Sequence, residues 1–263
     1  MRRVILGRII SPMANPIVVE ICVESLDYAV AAERGGADRI ELCDNLACGG
    51  ITPGVELIRA VRQRVRIPVY GMIRPRPGDF CYSRIELEAM KRDIELAKDS
   101  GLDGIVSGVL DPMGRVDIVN ARALVLWAHP LPLTFHRAFD ECPDLPQAVE
   151  AVVETGAKRI LTSGGKSSVI DGLPTIRSLL SAAGDRIVIM VGGGIRSVHI
   201  ERILRDTGVR EIHTSLGGYT RTSSDNAASE SASSAIGANL FEDTVRKFRQ
   251  TVEAVASDFS RET

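Results

Sequence analysis

The residues most able to do chemistry are two acid–thiol pairs, Glu20 with Cys22 and Glu41 with Cys43. Each pair ends a short apolar stretch in the pattern Glu-x-Cys, and alternate side chains of a β-strand share a face. Residues 25–35, which lie between the pairs, predict a helix, so the three segments form a parallel βαβ unit. We therefore expect two carboxylates and two thiols to converge at the carboxyl ends of adjacent strands, where α/β proteins place their sites.

Two thiolates on adjacent strands, which lie about 4.8 Å apart, suit a soft metal ion. Cys22 and Cys43 could hold one Cu(I) ion in near-linear geometry. They do not predict a zinc site on their own, because the sequence has no Cys-x-x-Cys and no matched pair of histidines. The other cysteines, at 48, 81 and 142, are expected to be small hydrophobic residues without a role.

An arginine-rich loop follows the third predicted strand. Arg74 and Arg76 alternate with Pro75 and Pro77, and this stiffened loop predicts a clamp for an anion. The alternative is a rigid turn whose arginines pair with nearby acids. His136 follows the start of the fifth strand, where it could act as an acid, a base or a ligand, or only order the rim of the barrel.

Glycine-rich segments end the last strands and include Gly192, Gly193 and Gly217. Loops of this kind cradle phosphate with backbone N–H groups in many barrels. Together with Arg76, these glycines predict an anion-binding site. The alternative is that they only permit tight turns between a strand and the next helix.

Eight short segments rich in Val and Ile predict the strands that position these residues. Four of the intervening helices end in a glycine that is followed, after a tight loop, by the next strand. This repeat predicts a single-domain α/β fold of the TIM (β/α)8 barrel class. A doubly wound open sheet is the alternative, but no Gly-x-Gly-x-x-Gly follows the first strand. The predicted strands are 17–22, 39–43, 68–74, 104–110, 133–139, 159–163, 187–192 and 211–215.

We expect the barrel to span residues 16–263. Residues 1–15 predict an N-terminal leader that need not be ordered, because Arg8 interrupts an apolar stretch too short for a signal peptide. The Ser- and Ala-rich residues at about 219–237 predict a loop after the eighth strand. A clear amphipathic helix is expected over 86–99, and a final helix over roughly 239–256 is expected to close the barrel.

Composition excludes several classes of partner. The net charge of −2 and the aromatic content of 4% argue against nucleic acid and anionic membranes, and no segment approaches transmembrane length. Five cysteines in a chain of 263 residues do not form a disulfide framework, and their odd number favours a reducing, cytoplasmic location. Barrels often form homo-oligomers, but the sequence does not decide whether this one does.

Several motifs together resemble the CutC copper-homeostasis family, and the likeness runs from about Glu20 to Gly218. The resemblance implies a cytosolic TIM barrel that binds or transports copper, with Cys22 and Cys43 as the Cu(I) ligands. The motifs are Glu20–Cys22, Gly36–Cys43, Gly49–Pro53, Ile73–Arg76, Gly78–Ser83, Thr134–Asp140 and Leu161–Gly164.

Two functions of different class follow. In the first, the thiols bind copper while Glu20, Glu41 and His136 orient them. In the second, the chain is an enzyme that acts by acid/base chemistry on a small anionic or phosphorylated substrate. Its catalytic residues would then be Glu20, Glu41, Arg74 and His136, with one carboxylate as the base and an arginine holding the anion.

Overall fold

The computed structural model describes residues 16–216 and 230–262, and the side chains of the last helix are described from 237 to 259. The predicted leader, 1–15, lies outside these ranges. So do Gly217 and residues 219–229 of the predicted loop.

Eight parallel strands form a closed barrel in sequence order, which confirms the predicted TIM barrel. Each strand is followed along the chain by a helix. The strands are β1 (Val18–Val23), β2 (Arg39–Leu42), β3 (Val69–Met72), β4 (Gly104–Ser107), β5 (Leu133–Phe135), β6 (Arg159–Thr162), β7 (Val188–Val191) and β8 (Glu211–Thr214). The helices are α1 (Leu26–Arg34), α2 (Val55–Arg64), α3 (Arg84–Asp99), α4 (Ile118–Ala128), α5 (Leu145–Thr155), α6 (Val169–Ala183), α7 (Ile200–Thr207) and α8 (Glu230–Glu262).

Several strands end earlier than the sequence predicts. β3 ends at Met72 rather than at residue 74, and β5 ends at Phe135 rather than at residue 139. The residues that follow leave the ladder to begin the connections to the next helices, and Arg137–Glu141 form a short 3-10 turn. Arg74 and His136 therefore stand just beyond their strands, at the mouth of the barrel.

The predicted loop at about 219–237 is wrong in its second half. Helix α8 begins at Glu230, so residues 230–237 are helical rather than part of a loop. This stretch contains two alanines and no proline, and alanine has the highest helix propensity. The Ser and Ala content suggested a loop, but it is compatible with the first turns of a long helix.

Alternation along the strands separates two layers of side chains. Ile21, Ile40 and Leu42 belong to the large apolar core that includes the inner faces of the helices. Cys22 and Cys43 belong instead to a small cluster with Tyr70, Met72 and Val106 inside the barrel. Cys22 therefore lies on the inner face of β1, and Cys43, one residue beyond the end of β2, packs beside it.

The two ends of the fold meet at the β1–β8 pair, where Val18 lies opposite Glu211 and Glu20 lies opposite His213. Helix α8 packs on α1 at this junction. A Cβ atom at Gly35 would lie 2.6 Å from the Cβ of Val245, so a side chain there would push the helices apart. The contact depends on Gly35 and fixes β1 beside β8.

Among the described helices, none is both long enough and apolar enough to cross a bilayer.

Candidate functional site

A cavity of about 1080 Å³ opens at the carboxyl ends of the strands. Its inner wall contains the buried side chains of Cys22, Glu41, Arg74 and His136 and the nearly buried side chain of His213. Four of the residues proposed from the sequence, Cys22, Glu41, Arg74 and His136, thus lie in this inner wall. More exposed residues surround them and include Arg137, Asp140, Gly193, Lys166, Arg196 and His199.

The two thiols lie together at the inner end of this cavity. The Sγ atoms of Cys22 and Cys43 are 3.6 Å apart, and Cys22 Sγ donates to Glu41 Oε1 at 3.1 Å. Cys43 is fully buried behind Cys22 and does not line the cavity. Its Sγ lies 3.7 Å from the carbonyl oxygen of Val23. The spatial pairing expected from the βαβ unit is therefore present, with one thiol at the surface of the cavity and one beneath it.

Glu41 and Cys22 hold protons more tightly than free side chains do. The hydrogen bond with Cys43, burial and the charge of Glu41 raise the pKa of the Cys22 thiol well above its usual value. Burial also raises the pKa of Glu41, and the negative charge of Glu20 adds to this effect. Glu41 Oε2 is buried without a hydrogen-bond partner among the described residues. This pair therefore has an unused acceptor beside a protonated thiol.

Glu20 lies below the cavity and does not line it. Its Oε2 accepts from Arg39 Nε, and its Oε1 lies 2.7 Å from His213 Nδ1. Burial alone would raise the pKa of Glu20, but His213 and Arg39 outweigh it and lower that pKa to about 2. With both oxygens engaged, Glu20 is an ionised structural group, and the structure does not place it where a catalytic base would meet a substrate.

The same ion-pair network continues toward the amino ends of the strands. Arg39 Nη2 donates to Glu211 at 2.5 Å, and Glu211 also accepts from Arg159 at 2.5 and 3.0 Å. The ring of Tyr70 lies beside both guanidinium groups, at 5.0 and 5.6 Å. In this network each charged side chain has a neighbour of opposite charge. The ion pairs therefore form a rigid polar layer beneath the cavity.

His213 completes a group of three ligand-type residues that sequence reasoning missed. Ligand atoms of Cys22, Glu41 and His213 all lie within 4.8 Å of one another. Burial tends to lower the pKa of His213, but the carboxylates of Glu41 and Glu20 outweigh it and raise that pKa. A carboxylate on Nδ1 orients the ring and leaves Nε2 to a ligand. The sequence signal for His213 was its place in a predicted strand, but its partners lie at the other end of the chain.

Arg74, Phe80 and His136 form a second wall of the cavity. The guanidinium carbon of Arg74 lies 4.7 Å from the centre of the Phe80 ring, and the Phe80 and His136 rings are 4.8 Å apart. The Arg74 Nη1 atom donates to the carbonyls of Cys48 and Gly50 at 3.0 and 3.1 Å, and Nη2 donates to that of Gly78 at 2.8 Å.

His136 is held in one orientation by its own turn. Its Nδ1 accepts from the backbone N–H of Ala138 at 3.2 Å, so the neutral ring carries its proton on Nε2. Burial, followed by the charge of Arg74, lowers the pKa of His136 to about 3. At neutral pH this residue is a hydrogen-bond donor rather than a proton relay. It also contacts Phe80 and Phe135 instead of orienting the thiols, as we had expected.

The predicted clamp of two arginines is not formed. Arg76 does not line the cavity, because its side chain pairs with Glu86 at 2.5 Å and Asp79 at 3.0 Å. Glu86 is itself held by the capping box that Ser83 forms at the start of α3. The alternative of a rigid turn with paired arginines therefore describes Arg76, whereas Arg74 faces the cavity.

The glycines predicted to bind an anion do not all line the cavity. Gly193 lines the cavity with a φ of +115°. Gly192 does not line the cavity. It packs closely against neighbouring side chains, since a Cβ atom there would lie 2.7 Å from Leu161 and 3.2 Å from His213. Gly217 lies outside the described residues. Of the four residues proposed for an anion site, the structure brings only Gly193 to the cavity.

Asp140 organises the rim and was not among the predicted site residues. Its Oδ1 accepts from Thr162 Oγ1 at 2.5 Å and from the backbone of Gly165 at 2.9 Å. Its Oδ2 accepts from Ser163 Oγ and from Arg137 Nε, both at 2.9 Å. One carboxylate thereby connects the turn after β5 to the loop after β6. The motif Phe-His-Arg-Ala-Phe-Asp contained this residue, but nothing in the motif alone distinguished Asp140 from its neighbours.

Comparison with known proteins agrees with this architecture. Residues 17–218 match the CutC family. The human copper homeostasis protein cutC homolog is 50% identical over 202 residues, covering 77% of this chain and 74% of that protein. A CutC family protein of Citrobacter koseri is 45% identical over 202 residues, covering 77% of this chain and 81% of that protein.

A solved structure supports the same assignment. The CutC protein of Streptococcus agalactiae superposes with a TM-score of 0.72 at 36% identity, covering 76% of this chain and 98% of that one. The resemblance inferred from the motifs is thereby confirmed, and the chain belongs to the CutC family.

Proposed function

We propose that this chain binds Cu(I) as cargo in copper homeostasis, with Cys22 and Cys43 as the thiolate ligands. The observation that carries the proposal is the pair of Sγ atoms 3.6 Å apart at the inner end of an open cavity. Sulfur ligands are those that Cu(I) prefers. Met72, whose thioether is also a soft ligand, packs in the same small cluster and lines the cavity.

The distance between the thiols favours a bent site rather than the near-linear one suggested by strand spacing. Metal–thiolate bonds are about 2.3 Å long for zinc, so a linear site would need sulfurs roughly 4.6 Å apart. At 3.6 Å, two such bonds enclose a bent angle and leave one side of the ion open. Glu41 and His213, whose ligand atoms lie within 4.8 Å of the Cys22 Sγ, are the candidates for a third ligand.

Proton release accompanies binding in this proposal. The pKa of Cys22 is raised well above its usual value, so this residue carries a thiol proton that an incoming ion must displace. Glu41 already accepts the hydrogen bond of this thiol at 3.1 Å. It is placed to receive the proton and pass it to the cavity.

The setting we propose is cytoplasmic. The five cysteines are free in the structure, and unpaired thiols persist in reducing compartments. The human relative named for copper homeostasis supports the cargo. The alternative function is an enzyme that acts by acid/base chemistry on a small anionic or phosphorylated substrate.

Titration of reduced protein with Cu(I) against a competing colorimetric chelator, under anaerobic conditions, tests this function. We expect one ion per chain, and we expect the double variant Cys22→Ser, Cys43→Ser to lose it. Cys142→Ser is the matched control, because Cys142 is also buried but does not line this cavity. Equal uptake by the double variant would contradict the proposal, as would tighter binding of Zn(II) than of Cu(I) by the unmodified protein.

A further inference from the structure

Arg74 carries a buried charge that has no carboxylate partner in the described ranges, 16–216 and 230–262. The residue is 5% exposed, and the hydrogen bonds of its guanidinium go to three backbone carbonyls. A buried charge is normally paired with an opposite charge, because removal from water is costly. Carbonyl dipoles solvate the Arg74 cation but do not neutralise it, so its positive charge can attract an anion at this wall of the cavity.

The guanidinium group of Arg74 also has N–H donors that these carbonyls do not use. Arginine presents five N–H groups in a planar fork, and three of those of Arg74 are used by the carbonyls of Cys48, Gly50 and Gly78. Nε has no partner among the described residues. The carbonyls therefore leave two donors, with the Tyr82 side chain close to the guanidinium. A carboxylate or phosphate group is the natural acceptor for a pair of guanidinium N–H groups.

His136 supplies another unused donor in the same wall. Its Nδ1 is occupied by the Ala138 N–H, and its Nε2 is buried without a partner in the described part of the chain. The ring of His136 is tightly packed, since a Cβ atom at Gly108 would lie 2.7 Å from His136 Nδ1. The packing thus fixes a neutral ring that lines the cavity and whose Nε2–H has no hydrogen-bond partner among the described residues.

Phe80 brings the two groups together. Arg74 and His136 stack on this one ring, at 4.7 and 4.8 Å, and all three residues line the cavity. The cavity of about 1080 Å³ far exceeds the size of a metal ion, and it reaches the upper end of the range for small-molecule sites, about 300–1,000 Å³.

We propose that Arg74 and His136 bind the carboxylate or phosphate group of a small organic molecule in this cavity. The subsite does not use the thiols, so it stands whether or not Cys22 and Cys43 bind copper. It replaces the expected clamp of Arg74 and Arg76 with one arginine and one neutral histidine.

Isothermal titration with two probes, inorganic phosphate and malonate, tests the subsite at constant ionic strength set with chloride. We expect saturable binding of one or both probes to the full chain. Binding of phosphate alone assigns a phosphate group to the natural ligand, and binding of malonate alone assigns a carboxylate. Absence of saturable binding of either probe would overturn the proposal.

Three variants test which residues bind the anion. His136→Asn keeps an acceptor for the Ala138 N–H but removes the Nε2 donor, and Arg74→Lys keeps the charge but removes the fork. We expect each to weaken binding by about tenfold or more, the loss typical of one hydrogen bond to a charged group. Arg76→Lys is the matched control from the same loop, and its affinity should be unchanged.

Equal affinities in all three variants would contradict the assignment to Arg74 and His136. Should Arg74→Lys unfold, His136→Asn alone decides, since its substitution preserves the turn. The titration is repeated on the double variant Cys22→Ser, Cys43→Ser, where anion binding should persist. The copper proposal and the anion proposal can therefore fail separately.

Discussion

Glu20 and His213 lie opposite each other across the β1–β8 pair, with His213 Nδ1 2.7 Å from Glu20 Oε1. The other oxygen of Glu20 is bound to Arg39. This carboxylate therefore connects the ion-pair network inside the barrel to the one histidine that shares a potential metal-ligand group with Cys22 and Glu41.

Replacement of Glu20 should destabilise the whole barrel. Glu20→Gln leaves Arg39 with one buried ion pair fewer, and breaking a buried pair costs about 3 kcal/mol or more in the free energy of unfolding. Urea denaturation at pH 7.5 measures the loss. Glu150→Gln, which breaks an exposed pair with Arg186, should shift the midpoint little, and a similar shift in both variants would contradict the structural role of Glu20.

The same residue predicts a loss of stability in acid. The folded-state pKa of Glu20 is about 2, below the ordinary value of 4.5, so the unfolded chain takes up a proton more readily. The contribution of Glu20 is therefore fully present above about pH 4.5 and is lost as the pH falls toward 2. The stability difference between the unmodified protein and Glu20→Gln should shrink over this interval. A constant difference would show that the carboxylate is not ionised in the folded barrel.

His136 predicts a separate acid effect at higher pH. Its folded-state pKa is about 3, below the ordinary 6.5, so the stability that the neutral ring provides is complete above pH 6.5 and declines below it. The decline is at most about 1.4 kcal/mol per pH unit. Urea denaturation at pH 7.5, 6 and 5 should show that His136→Asn lacks this part of the stability loss. His129→Asn is the control, at an exposed histidine. A profile in His136→Asn identical to that of the unmodified protein would mean that His136 is not buried in the neutral form.

Copper affinity should rise with pH. The pKa of the Cys22 thiol is well above its usual value, so the thiol is protonated across the neutral range and each proton displaced by the ion makes binding pH-dependent. We expect the apparent affinity for Cu(I) to increase by up to about tenfold per pH unit for each proton released. Competition titrations at pH 6, 7 and 8 measure it, and an affinity independent of pH would exclude displacement of a thiol proton.

Asp140 is expected to stabilise the loops at the rim of the cavity. Asp140→Asn directs an amide N–H₂ toward groups that already donate, namely Ser163 and Arg137, and should cost about 1–3 kcal/mol in the free energy of unfolding. Limited proteolysis should also cut the loop after β6 more readily. Asp171→Asn, an exposed substitution in the first turn of α6, is the control. Unchanged proteolysis of Asp140→Asn would contradict its role in the loop.

Local patterns were enough to predict part of the site. Cys22 and Cys43 belong to one βαβ unit, and the alternation of side chains along a strand fixed their common face before any tertiary contact was known. The repeat of strand, helix and glycine likewise predicted the barrel, because each unit carries the same local signals along the chain.

Long-range and loop geometry could not be predicted in this way. His213 joins the thiols only because β8 closes on β1, a contact across 193 residues. Arg74 and Arg76 are both arginines followed by a proline, yet one faces the cavity and the other pairs with Glu86 on α3. Their difference arises from where the chain turns after Met72, and strand periodicity does not encode that turn.

The closure of β8 on β1 also sets an order during synthesis of the protein. Cys22 and Cys43 are separated by 21 residues and emerge from the ribosome together with the helix between them. His213 and the strand that carries it are made much later, and the pairing of β1 with β8 must wait for them. A nascent chain can thus present two neighbouring thiols long before the barrel that encloses them is complete.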